Sequence, residues 1–262
     1  MRHPFICLSW SRGTALICFF ALSALGVSPG PARAGADAAQ DPACVILLHG
    51  LARTHRSMNK MAAALDAAGY HTINMDYPSR RKSIEDLALG VIPGALRQCR
   101  AASGREIHFV THSMGGILLR YYLSLHPIDG LGRVVMLSPP NMGSEVVDAL
   151  KDKWYYKWYN GPAGAQLGTD GIAAVLGPVD FPLGVITGNV HAFFDARWAD
   201  IIPGADDGKV SVERAKVEGM TDFLVVPYSH PCIMGQREVI FQTLHFLAKG
   251  SFAHPQEWQT GE

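Results

Sequence analysis

The chain has 262 residues, of which 48% are hydrophobic and 18% are charged, and its formal net charge is zero. This composition supplies enough apolar material for a sizeable core and excludes a disordered chain. The absence of net charge also argues against a protein that binds nucleic acid through a strongly basic surface.

The N-terminus has the pattern of an export signal. Two arginines precede an apolar run at positions 14–27, and small residues follow at Ala32 and Ala34. We therefore predict a secretory signal peptide over residues 1–34, followed by a single α/β domain over residues 35–262. The mature protein would be periplasmic or secreted. The alternative is an uncleaved membrane anchor, although the run is short for a membrane span.

From residue 44 onward, apolar strand-like runs alternate with helical patterns. The predicted strands are short and rich in apolar residues: Cys44–Leu48, His71–Met75, Glu106–Val110, Arg133–Leu137, Leu183–Thr187 and Phe223–Val226. Short connections between alternating strands and helices indicate parallel pairing with crossover helices. The sequence thus predicts an α/β fold, with a mostly parallel sheet of about six strands and helices on both faces.

The helices between these strands carry start and stop signals. Ser57 is a predicted N-cap, and Gly69 is the stop of the same helix. The helix over Ile84–Cys99 is expected to be disturbed near Pro93, because proline lacks the N–H that a helix interior needs. The last helix is predicted over about residues 236–249.

Ser113 stands at the tightest of the predicted turns, in the stretch H-F-V-T-H-S-M-G-G-I. The strand before it and the helix that runs through Leu125 are separated by very few residues. Gly115 and Gly116 remove side chains where the new helix must pass close to neighbouring backbone. Such a turn exposes the serine hydroxyl beside the free N–H groups of a helix start, which favour developing negative charge. The alternative is an ordinary serine N-cap.

Reactive side chains follow several of the other strands. The first strand leads into His49 and Leu51, the fifth into a loop with two adjacent acids, and the sixth into His230. The carboxyl ends of parallel strands meet at one edge of the sheet, so these residues and Ser113 are expected to lie near each other. The chain order serine, acid, histidine is that of the α/β-hydrolase arrangement.

The sequence resembles the α/β-hydrolase superfamily, and within it the small bacterial lipases and esterases of the triacylglycerol-lipase type. The resemblance covers about residues 44–248 and rests on V-I-L-L-H-G-L, H-F-V-T-H-S-M-G-G-I, L-S-P-P-N-M-G-S-E, A-D-D-G-K-V-S-V and P-Y-S-H-P. One departure is Thr111, which stands where the usual G-x-S-x-G pattern has glycine. A β-branched residue there is expected to make the turn tighter.

The resemblance and the chemistry of acyl transfer imply a set of roles. Ser113 is the predicted nucleophile, His230 the general base and then acid, and Asp207 the acid that orients the histidine, with Asp206 as its rival. The backbone N–H groups of two further residues are expected to form the oxyanion hole, namely Leu51 and Met114. The sequence indicates no cofactor, and no metal-ligand spacing stands out.

Residues 142–182 fall where this fold accepts a cap or lid. The segment is dense in aromatic residues, and Trp154 and Trp158 are candidate substrate contacts. His49 at the mouth of the site is a further candidate, and the alternative for it is that it shapes the loop. Ser144 is a possible N-cap of the helix that follows. The alternative is that the aromatic side chains simply pack on the domain.

If residues 1–34 are removed, three cysteines remain, which allows at most one internal disulfide. Cys44 opens a strand, and Cys99 closes the helix that returns to the same edge of the sheet. A Cys44–Cys99 disulfide therefore fits the topology, and the alternative is two separate buried thiols.

The sequence thus predicts an exported serine esterase or lipase. Its partner would be a small-molecule or lipid ester, with transient contact to a lipid interface, and its oligomeric state is open. The same machinery serves thioesterases, amidases and acyltransferases. A catalytically inert binding protein of this fold is the alternative from another class.

Overall fold

The computed structural model describes residues 42–102, 106–192 and 200–253. The predicted signal peptide lies outside the described residues, and the boundary at residue 35 stays a prediction. Within the described ranges, no helix is both long enough and apolar enough to cross a membrane.

Six strands form one sheet in the order β2-β1-β3-β4-β5-β6, and every adjacent pair is parallel. The strands are β1 (Cys44–Leu48), β2 (His71–Met75), β3 (Ile107–His112), β4 (Leu131–Leu137), β5 (Leu183–Gly188) and β6 (Asp222–Val226). The predicted α/β fold with its parallel sheet is confirmed.

Helices cover both faces of this sheet, as predicted. They are α1 (Asn59–Ala67), α2 (Ile84–Ala101), α3 (Met114–Leu125), α4 (Glu145–Leu150), α5 (Trp154–Ala165), α6 (Val212–Ala215) and α7 (Arg237–Lys249). Successive strand residues point to opposite faces, so Ile46 and Phe109 pack with α2 and α3, whereas Val45 and Val110 pack with α1 and α7.

The strand order places a switch point at the centre of the sheet. The chain runs from β1 outward to β2 and then back across to β3, so the connections leave β1 and β3 in opposite directions. A crevice opens at such a point, outside the carboxyl ends of the strands. The turn at Ser113 follows β3, and the loop with Leu51 follows β1, so both lie at this position.

The predictions for Ser57 and Pro93 were wrong in detail. Ser57 lies inside a 3-10 turn at His55–Met58, where its hydroxyl donates to the Thr54 carbonyl over 2.8 Å, and α1 begins only at Asn59. Helix α2 continues through Pro93 without a break. A proline removes a single hydrogen bond, and the buried apolar side of α2 keeps the helix in place against the sheet.

A disulfide joins Cys44 to Cys99, with 5.7 Å between their Cα atoms. It ties the first residue of β1 to the last turn of α2. Both residues are fully buried. The loop that the disulfide closes contains β2 and most of α2, so it restricts a long stretch of the unfolded chain.

Candidate active site

Ser113 has a strained backbone, with φ of +52° and ψ of −122°. Side chains other than glycine rarely adopt this conformation, which costs about 1–3 kcal/mol and is characteristic of functional sites. A hydrogen bond fixes the turn to the neighbouring strand β4, because the Ser113 N–H donates to the Leu137 carbonyl over 2.8 Å. Ser113 precedes α3 in the N-cap position, but its hydroxyl makes no capping hydrogen bond. An ordinary N-cap therefore does not account for this serine.

Gly115 allows the start of α3 to lie directly on the end of β1. A Cβ atom added to Gly115 would stand 2.5 Å from the Leu48 carbonyl oxygen and 2.9 Å from that of His49. These neighbours are backbone atoms, which cannot rotate away. The glycine is required here for close approach.

Gly115→Ala should destabilise the protein by about 1–3 kcal/mol, because the new methyl group forces the helix away from β1. Gly90→Ala is the matched control, since Gly90 is an exposed residue of α2 with no atom within 4 Å of an added Cβ. That change should stabilise the helix by up to about 1 kcal/mol. Urea unfolding of both variants checks the prediction. Equal effects of the two substitutions would contradict the close approach.

Thr111, the departure from the usual elbow pattern, lies in β3 rather than in the turn. It is fully buried, and its hydroxyl oxygen would stand 3.2 Å from a Cβ atom added to Gly116. The missing side chain of Gly116 makes room for the threonine. Because Gly116 leaves this space free, the threonine side chain fits without a tighter turn.

Ser113, His230 and Asp207 form one hydrogen-bonded chain. Ser113 Oγ lies 3.0 Å from His230 Nε2, and His230 Nδ1 lies 2.8 Å from Asp207 Oδ2. A carboxylate can only accept, so the Nδ1–H donates to Asp207 and leaves Nε2 to accept the serine proton. The His230 backbone N–H also donates to the Asp207 carbonyl over 3.0 Å, which fixes the two residues together.

Asp207 is held as a buried carboxylate. Its Oδ1 accepts from the backbone N–H groups of Lys209 at 3.0 Å and Val210 at 2.9 Å. Burial raises the pKa of Asp207, but the charge and hydrogen bond of His230 and the backbone donors outweigh it, and the net pKa is lowered. The group is therefore ionised at neutral pH and able to stabilise a protonated His230.

The adjacent acid, Asp206, faces a different partner. Its Oδ1 accepts from the Gly208 N–H over 2.7 Å and lies 2.7 Å from His191 Nε2. The structure brings Asp207 to His230 and directs Asp206 away.

The backbone around Ser113 presents free donors. Within the part of the chain that the structure describes, neither the Leu51 N–H nor the Met114 N–H has a hydrogen-bond partner. Met114 is the first residue of α3, where the N–H groups have no partner inside the helix. The Leu51 loop is fixed by its neighbour, because the Ala52 N–H donates to Ser79 Oγ over 3.1 Å. These amides are what an oxyanion hole at Ser113 needs.

Comparison with known proteins agrees with this fold. A family model described as the alpha/beta hydrolase family matches residues 45–232. The chain belongs to the α/β-hydrolase family. A search of curated proteins found no match.

Solved structures with the same fold include two lipases and a phospholipase. The mature form of the Bacillus licheniformis lipase BlEst2 is 20% identical, with a TM-score of 0.64 over 81% of this chain and 93% of the lipase. Phospholipase PlaB from Legionella pneumophila is 18% identical, with a TM-score of 0.59 over 72% of this chain and 53% of PlaB. Aspergillus fumigatus lipase B is 14% identical, with a TM-score of 0.61 over 82% of this chain and 54% of the lipase. At these identities the likeness establishes the fold.

His112 is a neighbour of the site that sequence reasoning missed. The structure places its ring 4.9 Å from the His230 ring, and the residue is buried. Its Nε2 donates to the His230 carbonyl over 3.1 Å. No sequence pattern marks this contact in the hydrolase, because it depends on where the loop after β6 crosses the sheet edge.

His49 is positioned to shape its loop rather than to touch a substrate. Its ring has no exposed surface and stacks on Tyr77 at 3.9 Å between ring centres, nearly parallel. The Tyr77 hydroxyl donates to the His49 carbonyl. The prediction of a substrate contact at His49 is corrected, because Tyr77 closes the ring off from solvent.

Trp154 and Trp158 are the most exposed of the predicted substrate contacts, at 77% and 81%. Both lie on α5, inside the predicted cap region, which is partly helical. The α5 backbone has a kink at Gly161, after the aromatic residues. The alternative in which these side chains pack on the domain is excluded by their exposure. Ser144 precedes α4 in the N-cap position, but its hydroxyl donates to the Lys209 carbonyl over 2.6 Å.

Three buried histidines make the stability of this hydrolase sensitive to acid. Burial lowers the pKa of His112 well below the usual 6.5, and it also lowers the pKa values of His49 and His108, against opposing contributions from nearby acids. Below pH 6.5 the unfolded chain therefore binds protons that the folded chain does not bind. The free energy of unfolding must then fall as the pH falls.

We expect a loss of roughly 1–3 kcal/mol between about pH 7.5 and pH 5.5, since each unit of pKa shift is worth about 1.4 kcal/mol per group. Urea unfolding across this range measures it. His112→Asn should flatten the slope, because the replacement does not titrate. A free energy of unfolding that is constant over this range would contradict the buried neutral histidines.

Proposed function

We propose that this α/β-hydrolase is an exported serine esterase or lipase that cleaves carboxylic esters through an acyl-serine intermediate. The observation that carries the proposal is the hydrogen-bonded chain from Ser113 through His230 to Asp207, built on a strained strand-to-helix turn. A serine hydroxyl is a weak nucleophile until a base takes its proton, and the base needs an acid that orients it.

The reaction follows from these positions. Ser113 Oγ attacks the ester carbonyl carbon while its proton passes to His230 Nε2. Asp207, ionised and buried, stabilises the imidazolium that forms. The carbonyl oxygen, now negatively charged, accepts hydrogen bonds from the N–H groups of Leu51 and Met114.

The tetrahedral intermediate then collapses, and the leaving alcohol takes the proton from His230 Nε2. A water molecule enters, gives its proton to the same nitrogen and attacks the acyl-serine. A second collapse releases the carboxylic acid and returns the proton to Ser113. The steps need no cofactor, because His230 carries the proton in each half-reaction and water supplies the group that replaces the alcohol.

Two further observations support an ester substrate and export. The structural neighbours include a lipase and a phospholipase, whose substrates are esters. The N-terminal pattern of arginines, an apolar run and small residues is typical of a secretory signal, and it supports a mature enzyme that acts in the periplasm or outside the cell. The substrate is then a small-molecule or lipid ester, and the triad alone also suits thioesters and amides.

The test is hydrolysis of a p-nitrophenyl ester series, from acetate to palmitate, next to the matching thioester and anilide substrates. The proposal predicts that esters are cleaved with the highest kcat/KM, and the chain-length profile separates esterase from lipase. Preference for the thioester or the anilide would assign the triad to another acyl donor. No turnover of any of them, together with no labelling of Ser113 by a fluorophosphonate, would favour an inert binding protein.

A further inference from the structure

Four exposed aromatic side chains lie together on α5. Trp154, Tyr155, Trp158 and Tyr159 are 77%, 47%, 81% and 52% exposed. Residues four apart on a helix fall on the same side, so the two tryptophans form one row and the two tyrosines form the adjacent row. An exposed apolar patch of this kind marks an interaction site.

The remaining aromatic residue of this segment shows how the helix is anchored. Tyr156 is half-buried, and its hydroxyl donates to the Gly164 carbonyl over 3.3 Å. Gly164 belongs to α5, so this hydrogen bond is internal to the element, but the Tyr156 ring also packs against the core cluster under the sheet. The domain therefore contacts α5 through Tyr156, which lies on a different side of the helix from the two tryptophans. The exposed rings are not needed to pack the helix.

A basic loop adjoins these rings. The Arg80 guanidinium lies 5.1 Å from the centre of the Tyr159 ring and donates to the Tyr159 carbonyl over 3.2 Å. Arg81 and Lys82 follow it, and all three side chains are exposed. We name the four rings and these three cations the aromatic–basic face: Trp154, Tyr155, Trp158, Tyr159, Arg80, Arg81 and Lys82.

The charge around this face is positive although the chain as a whole has none. Lys153 and Lys157 raise the number of cations to five, against carboxylates at Asp152, Glu85 and Asp86. Asp152 lies 3.3 Å from Lys157, and Glu85 accepts from the Gln166 side-chain amide. The Asp152–Lys157 pair cancels one charge of each sign, which leaves four cations against Glu85 and Asp86.

The face is tied to the loops beside Ser113. The residue before the basic triplet, Ser79, accepts a hydrogen bond from the Ala52 N–H in the loop of Leu51. At the other end of α5, a Cβ atom added to Gly164 would stand 3.4 Å from the Leu51 side chain. A surface that met the aromatic–basic face would lie next to the opening of the site.

We propose that the aromatic–basic face docks this protein on an anionic lipid surface. Trp and Tyr have an apolar ring and a polar edge, which suits them to the boundary between lipid tails and headgroups. Arginine and lysine beside the rings attract negatively charged headgroups. The exposed rings fit a fluid lipid surface, which needs no complementary shape.

Vesicle sedimentation tests the proposal. Full-length protein carrying Ser113→Ala is mixed with vesicles of phosphatidylcholine alone, or of phosphatidylcholine with phosphatidylglycerol, so that no lipid is consumed. Binding to the anionic vesicles should be at least about tenfold tighter. Each variant below carries the same N-terminus, so any contribution of that segment cancels.

The variants separate the rings from the charges. Trp154→Ser with Trp158→Ser should weaken binding to both vesicle types by about tenfold or more. Arg81→Gln with Lys82→Gln should remove the preference for anionic vesicles. Arg97→Gln with Arg100→Gln is the matched control, because these exposed arginines lie in the last turns of α2, far from the face along the helix. The control variant should keep the preference for anionic vesicles.

Equal binding to both vesicle types by the parent protein, or an equal loss in the matched control, would overturn the proposal. So would a dimer that the tryptophan variant disrupts, without vesicle binding, since a second copy would then cover the face. A raised KM for long-chain soluble esters with unchanged vesicle binding would assign the rings to the acyl chain instead. With Ser113 restored, hydrolysis of p-nitrophenyl acetate should be unchanged in the variant with Arg81→Gln and Lys82→Gln and in the matched control, which separates failure of docking from failure of the proposed chemistry.

Discussion

Ser113→Ala should lower kcat for p-nitrophenyl butyrate by about 10⁵–10⁶-fold, the loss found when the nucleophile of a serine triad is removed. The hydroxyl is the group that would form the covalent bond to the acyl carbon, and water is not held in its place. The alanine keeps the Cβ atom and carries the same backbone strain at φ of +52°. We therefore expect a melting temperature close to that of the parent protein.

Ser124→Ala is the control for this substitution. Ser124 lies on the same helix, and its hydroxyl donates to the Tyr121 carbonyl on the exposed side. This variant should keep full activity. Comparable turnover by Ser113→Ala and the parent protein would show that another group is the nucleophile.

Asp207→Asn should lower kcat by about 10⁴-fold, through the histidine rather than through the serine. An amide can donate to His230 Nδ1, which favours the tautomer with the proton on Nε2. That nitrogen then cannot accept the proton of Ser113, which lies 3.0 Å away. The negative charge that stabilises the imidazolium is lost at the same time.

Asp206→Asn is the matched comparison, since it removes one charge from the adjacent residue. Asp206 contacts Gly208 and His191 instead of His230, so its loss should change kcat far less. Steady-state kinetics of the two variants decides between the acids. A larger loss in Asp206→Asn than in Asp207→Asn would contradict the arrangement described above.

The sheet could be predicted from the sequence because its strands are buried on both faces. Runs such as Cys44–Leu48 are apolar throughout, and the predicted strand bounds lie within two residues of the observed ones. The strand before Ser113 extends two residues further than predicted, because Thr111 and His112 continue the pairing with β4. The helix starts were harder to predict, as the 3-10 turn before α1 shows.

The part of the candidate site that could be predicted consists of the residues that directly follow strands. Ser113, His230 and an acid were each placed by their position after a strand, and the structure brings them together. The choice between Asp206 and Asp207 depends on the direction of two adjacent side chains, which the sequence does not determine. Contacts between distant loops, such as that of His112 with His230, are likewise set by the folded chain.

The exposure of the aromatic segment could not be predicted for a similar reason. The same sequence pattern, tryptophan and tyrosine at helical spacing, occurs in helices that pack against a domain and in helices that face solvent. The structure decides because Tyr156 is the ring that turns inward, whereas Trp154 and Trp158 face outward. Which side of a helix packs depends on the tertiary neighbours of that helix.

The most direct test of the proposed chemistry is intact-mass measurement after reaction with a fluorophosphonate, followed by peptide mapping. A phosphonate adds to a serine that an adjacent base has activated, and it does not add to ordinary serines. We predict one adduct per chain, on Ser113, that is absent in Ser113→Ala and is slowed when an excess of p-nitrophenyl butyrate competes for the site. An unlabelled parent protein with its fold intact, or an adduct on another residue, would contradict the account.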